Sequence, residues 1–160
     1  MITAEELREQ LNYDPETGVF TWRVKTRQKN IAGRVGHLNK TTGYVSISVR
    51  KKTYLAHRLA WLHTYGCWPR KEIDHINRVR SDNRIANLRE ATRAENCANR
   101  KKRPTRYRLN GVFLVGRRFG ARVYVEGIPA YLGVYDTEIE AHAAYVAAVS
   151  TAFGAFARAE

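Results

Sequence analysis

The alternation of apolar and polar positions in the first third of the chain predicts two β-hairpins. Residues 4–11 are a candidate for a short helix, and a turn that ends on Gly18 precedes the alternating run 19–22. Residues 44–49 alternate in the same way, and a basic tip leads from them into residues 54–55. Both runs show the period of two that is typical of a half-buried strand.

After residue 56 the apolar positions change to the spacing of a helix. This spacing continues over residues 57–65 and stops at Gly66. Residues 72–76 and 87–91 then predict two short strands on either side of a polar loop. The capping-box pattern of residues 92–95 predicts a helix that begins near Arg93. The predicted order is therefore helix, strand, loop, strand, helix.

The last third of the chain has a separate pattern. Residues 99–108 are rich in Lys and Arg, lack acidic residues and include a proline, which predicts a linker. Residues 111–125 predict a hairpin, residues 131–135 a third strand, and a capping box at 137–140 opens an alanine-rich helix. We therefore predict an α+β fold in which a small three-stranded antiparallel sheet packs on one helix. The predicted parts are residues 1–100, a basic linker at 101–107 and residues 108–160.

The charge of the chain points to an anionic partner. The formal net charge is +13, from 28 Lys and Arg against 15 Asp and Glu. Such a surface attracts nucleic acid first, because the chain has neither an apolar run of about 20 residues nor the basic amphipathic helix of a membrane-binding protein. The start lacks the regions of a signal peptide, so we expect an intracellular protein. The two cysteines, Cys67 and Cys97, are interpreted as reduced thiols.

Four polar residues carry the candidate chemistry: Asp74, His75, Asn87 and Asn96. Adjacent residues of an ideal strand point to opposite faces. A site that uses both Asp74 and His75 therefore requires the strand end to twist or the loop to fold back. Taken singly, each residue also fits a structural role, His75 as a packed strand residue and the asparagines as turn formers or exposed helix residues.

Several short motifs follow one another between Tyr54 and Asn99. They are Ala56-His57-Arg58-Leu59-Ala60-Trp61, Glu72-Ile73-Asp74-His75-Ile76-Asn77, Asp82-Asn83-Arg84, Asn87-Leu88-Arg89 and Glu95-Asn96. This run resembles the HNH homing endonucleases, which carry a ββα-metal motif. The resemblance implies a ββα-metal nuclease domain.

The resemblance also implies a role for each candidate. His75 takes the place of the general base that removes a proton from the attacking water, and an imidazole with an ordinary pKa of about 6.5 suits this task. Asp74 and Asn96 take the places of the metal ligands, and Asn87 that of the residue whose amide fixes the loop and orients His75. Many relatives carry His at the position of Asn96.

An oxygen-rich metal site follows from these assignments. A carboxylate and an amide oxygen, completed by water and phosphate oxygens, suit Mg²⁺ or Mn²⁺ better than zinc. The resemblance further suggests that His57 buttresses the site and that Arg58 meets a phosphate. A structural role for these two residues is an equal alternative.

A second set of motifs lies in residues 108–160. It comprises Asn110-Gly111-Val112, Ala121-Arg122-Val123, Tyr131-Leu132-Gly133-Val134-Tyr135-Asp136-Thr137, Glu140-Ala141, Ala144-Tyr145 and Phe153-Gly154-Ala155-Phe156-Ala157. These resemble the Apetala-type domain of plant ethylene-response factors, whose sheet lies in the major groove of DNA. Phe119 and Val123 depart from the residues common in that family. In the alternative interpretation, the arginines form the solvated face of a protein-binding module.

The chain is thus predicted to be a metal-dependent DNA endonuclease of the HNH homing type. It would hydrolyse phosphodiester bonds of double-stranded DNA to 5′-phosphate and 3′-hydroxyl ends, as a monomer, in the cytoplasm of a bacterial host if a phage encodes it. The alternative is a non-catalytic DNA-binding regulator on an HNH scaffold. The side chains expected to contact DNA are Arg58, Lys101, Lys102, Arg103, Arg106, Arg108, Arg117, Arg118, Arg122 and Tyr124.

Overall fold

The computed structural model describes residues 1–23, 34–99, 109–125 and 127–157. They form two compact units, Met1–Glu90 and Ala91–Glu160, and each is described by itself. The expected linker at 101–107 lies outside the described residues, so the division into domains 1–100 and 108–160 stays a prediction. None of the helices within the described ranges is long and apolar enough to cross a membrane.

The first unit begins with a capped helix and a small sheet. Its first elements are α1 (Ala4–Gln10), β1 (Leu11–Asp14), β2 (Val19–Trp22) and β3 (Arg34–Val35). Thr3 and Glu6 form a reciprocal capping box that satisfies backbone amides at the start of α1. β1 and β2 pair as an antiparallel hairpin, and β3 adds to β2. The first predicted hairpin is therefore confirmed.

A second antiparallel sheet leads into the main helix of the unit. Its strands are β4 (His37–Leu38), β5 (Val45–Val49) and β6 (Lys52–Leu55), and helix α2 (Ala56–Tyr65) follows. The basic tip turns through Arg50 and Lys51, which both have positive φ. Gly66, with φ 76°, ends α2 in the left-handed conformation. α2 packs against α1, β5 and β6.

Two further strands complete the first unit, and three of the four candidate residues lie on them or on the turn that leads into the second strand. They are β7 (Glu72–His75) and β8 (Leu88–Ala91), which pair in a two-stranded sheet, with a 3-10 turn at Ile85–Asn87 before β8. Ile73 and Leu88 are buried in the same apolar core as residues of α1 and α2. The sheet that positions the site is thus fastened to the largest core of the unit.

The second unit contains α3 (Arg93–Ala98), β9 (Val112–Val115), β10 (Arg118–Val125), β11 (Ile128–Tyr135), α4 (Glu138–Phe153) and a 3-10 turn at Gly154–Phe156. The strands form one antiparallel sheet in the order β11-β10-β9, and α4 packs against all three. The core between them is small and centres on Val112, Ala121 and Ala141. The predicted three-stranded sheet on one helix is therefore present.

The structure differs from the predicted elements in two places. The apolar pattern predicts a strand from Asn87, whereas Asn87 ends the 3-10 turn, because the amide of Leu88 bonds back to the carbonyl of Ile85. The strands β3 and β4 are not predicted. Each contains two residues, which is too short for an alternating pattern to appear.

We expect the substitution Gly18→Ala to destabilise the first unit. Gly18 has φ 69°, and an added Cβ would lie 2.5 Å from the backbone of Asn83 and Arg84. The left-handed conformation costs an alanine about 1 kcal/mol, and the backbone clash adds to this cost. Urea unfolding followed by tryptophan fluorescence would measure the loss, since Trp22, Trp61 and Trp68 all lie in the first unit.

Gly66→Ala is the matched control for this prediction. Gly66 has φ 76°, but the nearest atom to an added Cβ, a nitrogen of Arg8, is 4.0 Å away. This variant therefore loses the conformational contribution without a clash. Equal losses in both variants would show that the first hairpin turn is not packed tightly against residues 83–84.

Candidate active site

The end of strand β7 places Asp74 and His75 in the interior of the first unit. Each residue is 4% exposed. Ile73 precedes them in the strand and packs into the main core together with Leu88 of the neighbouring strand. The apolar neighbours therefore fix the backbone that carries both polar side chains.

Arg89 of strand β8 binds the buried carboxylate of Asp74. The Nε of Arg89 donates a hydrogen bond to Asp74 Oδ2 at 2.8 Å. The side chains are 18% and 5% exposed. A carboxylate at this depth requires a compensating charge, because an isolated ion is strongly destabilised away from water. Arg89 is not among the site residues predicted from the sequence, although it stands in the Asn87-Leu88-Arg89 motif.

His75 is enclosed by two other rings. The centroid of the His57 ring lies 5.0 Å away in an edge-to-face arrangement, and that of Tyr44 lies 5.9 Å away. Burial lowers the pKa of His75 from its ordinary value, and the Asn83 side chain and Asp74 oppose the shift. His75 is therefore uncharged at neutral pH, which is the state in which an imidazole accepts a proton.

His57 lies at the start of α2 and packs against the site. Its ring contacts Tyr44, with centroids 5.2 Å apart, and its Nδ1 is buried without a hydrogen-bond partner in the described part of the chain. Burial lowers the pKa of His57 to about 3, and His75 and Arg58 act in the same direction. These contacts agree with the hypothesis that His57 buttresses His75. Arg58 lies over the ring of Trp68 at 5.7 Å, and its contact with a phosphate stays a prediction.

The side chain of Asn87 holds two points of the loop between β7 and β8. Its Oδ1 accepts a hydrogen bond from the amide of Asn77 at 2.9 Å, and its Nδ2 donates to the carbonyl of Asp82 at 2.9 Å. Its own carbonyl accepts from the amide of Ile76 at 2.9 Å. The side-chain amide of Asn87 therefore fixes the loop that begins directly after His75.

Charged contacts within the loop add to these hydrogen bonds. Asp82 accepts two hydrogen bonds from the guanidinium of Arg84 and one from the side-chain amide of Asn77. The hydrogen bonds from Arg84 are the main cause that lowers the pKa of Asp82 to about 2. Asp82 is therefore ionised at neutral pH and bonded to the loop itself.

The first hairpin supports the far end of the same loop. The hydroxyl of Tyr13 donates to the carbonyl of Asn83 at 2.8 Å, and the amide of Ile85 donates to the carbonyl of Pro15 at 3.2 Å. The close approach of Gly18 to the backbone of residues 83–84 belongs to the same contact. The sequence motifs do not reveal this support, because its two sides are about 70 residues apart in the chain.

One comparison with known proteins finds a family match. Residues 54–98 match the protein family described as HNH endonuclease. The match supports a nuclease. The stretch is less than a third of the chain and contains Asp74, His75, Asn87 and Asn96. A phosphodiester hydrolase that acts on nucleic acid is what such a stretch implies, and HNH nucleases generally depend on a divalent metal. A search of curated proteins gives no match.

The fourth HNH candidate, Asn96, lies on α3 in the second unit. Its amide bonds to the carbonyl of Thr92 in the first turn of the helix, and Thr92 and Glu95 form the predicted capping box. Within the described ranges, no three His, Cys, Asp or Glu side chains cluster as metal ligands would. A metal held by Asp74 and Asn96 therefore stays a prediction.

The second unit presents a mixed basic and aromatic face on its sheet. The guanidinium of Arg122 lies over the rings of Phe113 and Tyr124, at 5.0 and 5.5 Å. Arg118 forms an exposed ion pair with Asp136 at 2.7 Å. The exposed Arg117 stands in the turn before β10. The other predicted DNA contacts, Lys101, Lys102, Arg103, Arg106 and Arg108, lie outside the described residues, and the resemblance of residues 108–160 to the Apetala-type domain stays a prediction.

We expect Arg89→Met to lower the free energy of unfolding of the first unit by about 3–5 kcal/mol, because it removes a charged partner of the buried Asp74 carboxylate. Asp74→Asn in the same chain should restore part of the loss. Urea unfolding followed by tryptophan fluorescence on both single variants and the double variant gives the coupling energy. Additive losses would show that the bond between Arg89 and Asp74 contributes nothing to stability.

The stability of the first unit should rise with pH between about 3 and 6.5 because His57 is buried uncharged. Its pKa is about 3 in the folded chain and 6.5 in the ordinary state. The unfolded chain therefore binds a proton in this range that the folded chain does not bind. One such histidine contributes up to about 1.4 kcal/mol per pH unit, and its contribution is complete above the unfolded pKa.

The variant His57→Phe tests this dependence because it keeps a ring of similar size and removes the titrating group. Urea unfolding at several pH values should show a smaller slope of stability against pH than in the wild type. His37→Phe is the control, since His37 is exposed. An unchanged slope in His57→Phe would contradict the prediction.

Proposed function

We propose that the chain is a metal-dependent DNA endonuclease of the HNH homing type, which leaves 5′-phosphate and 3′-hydroxyl ends. The observation that supports it most is the pair Asp74 and His75, buried together at one strand end inside the stretch that matches HNH endonucleases. The chemistry is phosphodiester hydrolysis. The proposed substrate is double-stranded DNA, cut by a monomer.

His75 is the general base. Because burial keeps its imidazole uncharged at neutral pH, it accepts a proton from the water that attacks phosphorus. The rings of His57 and Tyr44 hold the imidazole in place. Asn87 also positions the His75 imidazole, because its side chain fixes the backbone that follows His75.

Asp74 and Asn96 are the proposed ligands of Mg²⁺ or Mn²⁺. The buried carboxylate of Asp74 fits such an ion, because hard cations prefer anionic oxygen donors. When bound, the ion offsets the negative charge that develops on the phosphate and on the leaving 3′ oxygen. Arg89 orients the Asp74 carboxylate through its bond to Oδ2.

The basic surface holds the substrate. A net charge of +13 supplies the general attraction to phosphates. In the second unit, Arg122 stacked between Phe113 and Tyr124 is the proposed contact to the DNA groove, with Arg117 and Arg118 beside it. Ring contacts limit the freedom of the Arg122 side chain, so less conformational entropy is lost on binding.

The decisive experiment is nicking of a supercoiled plasmid by the whole chain, with Mg²⁺ and with EDTA. We expect conversion to open or linear plasmid with Mg²⁺ and none with EDTA. His75→Ala should lower the cleavage rate about 10²–10⁴-fold and leave DNA affinity unchanged, because affinity is spread over many cations. His37→Ala, an exposed histidine, is the control.

The two hypotheses give opposite results in this assay. A non-catalytic DNA-binding regulator would bind the plasmid without cutting it in any metal. Cleavage by His75→Ala at the wild-type rate would remove His75 from the mechanism while leaving nuclease activity in place.

A further inference from the structure

We propose that Arg80 binds a phosphate of the DNA strand that is cut, and that Tyr44 and the backbone of Thr42 hold its guanidinium in place for this contact. The proposal rests on the proposed endonuclease function and adds a substrate-contacting residue to that site. Neither the HNH motifs nor the composition of the chain single out Arg80. All the residues that support the proposal lie in the first unit.

Arg80 is held by the segment that leads into strand β5. Its Nη1 donates a hydrogen bond to the carbonyl of Thr42 at 2.8 Å, and its guanidinium carbon lies 4.9 Å from the centre of the Tyr44 ring. A Cβ added to Gly43 would be in ordinary contact with the Arg80 side chain, at 3.7 Å. Thr42 and Tyr44 thus orient one arginine of the β7–β8 loop.

The same tyrosine places this arginine beside the general base. The Tyr44 ring carries the Arg80 guanidinium and also lies 5.9 Å from the His75 ring. Burial is the main cause that lowers the pKa of His75, and the charge of Arg80 acts in the same direction. Arg80 itself is exposed to solvent, so a phosphate can reach it.

Within the described residues Arg80 has no ion-pair partner, whereas two other arginines of this region each have one. Arg84 binds Asp82 and Arg89 binds Asp74, whereas Arg80 bonds to no carboxylate in the described ranges. A guanidinium carries five N–H donors, and the Thr42 carbonyl takes one. The remaining donors and the free charge match the oxygens of a phosphate, which arginine binds in a forked geometry.

A purely structural role accounts for less of this arrangement. A side chain that only ties the loop to the hairpin requires one donor and no charge. A guanidinium that binds phosphate uses both, and it also stabilises the negative charge that increases on the non-bridging oxygens during attack. Loss of one such donor lowers the rate of catalysis about 10²–10³-fold in other enzymes.

The variant Arg80→Gln separates the two roles, because glutamine keeps a donor for the Thr42 carbonyl and removes the charge. We expect single-turnover nicking of supercoiled plasmid with Mg²⁺, at saturating protein, to fall about 100-fold. The slope of log affinity against log salt, measured on random duplex DNA in EDTA, should become flatter by roughly 0.9, as for one lost phosphate contact. Arg80→Ala should show both effects.

Lys40→Ala is the matched control, since Lys40 is an exposed cation of the turn that contains Thr42. Its nicking rate at saturation should equal that of the wild type. Wild-type nicking and an unchanged salt slope in Arg80→Gln would overturn the proposal, and tryptophan fluorescence in urea verifies that this variant is folded.

Failure of the proposed function gives a different result. In that case the wild type does not nick with Mg²⁺ or Mn²⁺, whereas the salt slope in EDTA still reports the phosphate contact of Arg80. A flatter slope in Arg80→Gln would then support the contact, and an unchanged slope would overturn it.

Discussion

The side chain of Asn87 is the constraint on which the site depends. The loop between β7 and β8 has part-buried backbone groups at Asn77 and Asp82 that require partners, because buried amides and carbonyls without hydrogen bonds are costly. A single amide side chain supplies one acceptor and one donor, to Asn77 and Asp82. Because Asn87 fixes the backbone at Asn77 and Asp82, the loop has a defined conformation. That conformation sets the position of Arg80 relative to His75. An aspartate in place of Asn87 would lose the donor and repel nearby carboxylates.

Asp74 and His75 are buried next to each other, and each depends on different neighbours. Asp74 keeps its place in the interior because Arg89 supplies the opposite charge. The rings of His57 and Tyr44 lie against His75. Burial favours its uncharged form. A carboxylate bound by an arginine, next to an uncharged imidazole, is the combination that the proposed metal ligand and the proposed general base require. Both environments derive from the same core, because β7 and α2 share it.

The sequence predicts the parts of this structure that depend on local spacing. The two capping boxes at Thr92 and Thr137, the turn at Gly18 and the alternating strands are confirmed. The motifs single out His75 and Asn87, and the roles of these two residues stay predictions. The sequence does not predict the contacts that Tyr13, Tyr44 and Arg89 make with the loop and the candidate residues. These contacts join residues that are far apart in the chain or that share no motif. The 3-10 turn at Ile85–Asn87 is not predicted for another reason, since a single turn is too short to show a periodic pattern.

The site extends beyond the stretch that matches HNH endonucleases. That stretch begins at residue 54, yet Tyr13 and Pro15 bond to the loop backbone and Thr42 and Tyr44 hold Arg80. Both N-terminal hairpins therefore contact the candidate site. The first bonds to the backbone of the loop, and the second holds Arg80, the proposed phosphate contact. A matched segment lacking these hairpins would keep Asp74, His75 and Asn87 but lose the contacts that fix the loop. A displacement of about 1 Å at a reacting group can lower a rate 100-fold. We therefore expect these contacts to affect the proposed cleavage, as the motif residues do.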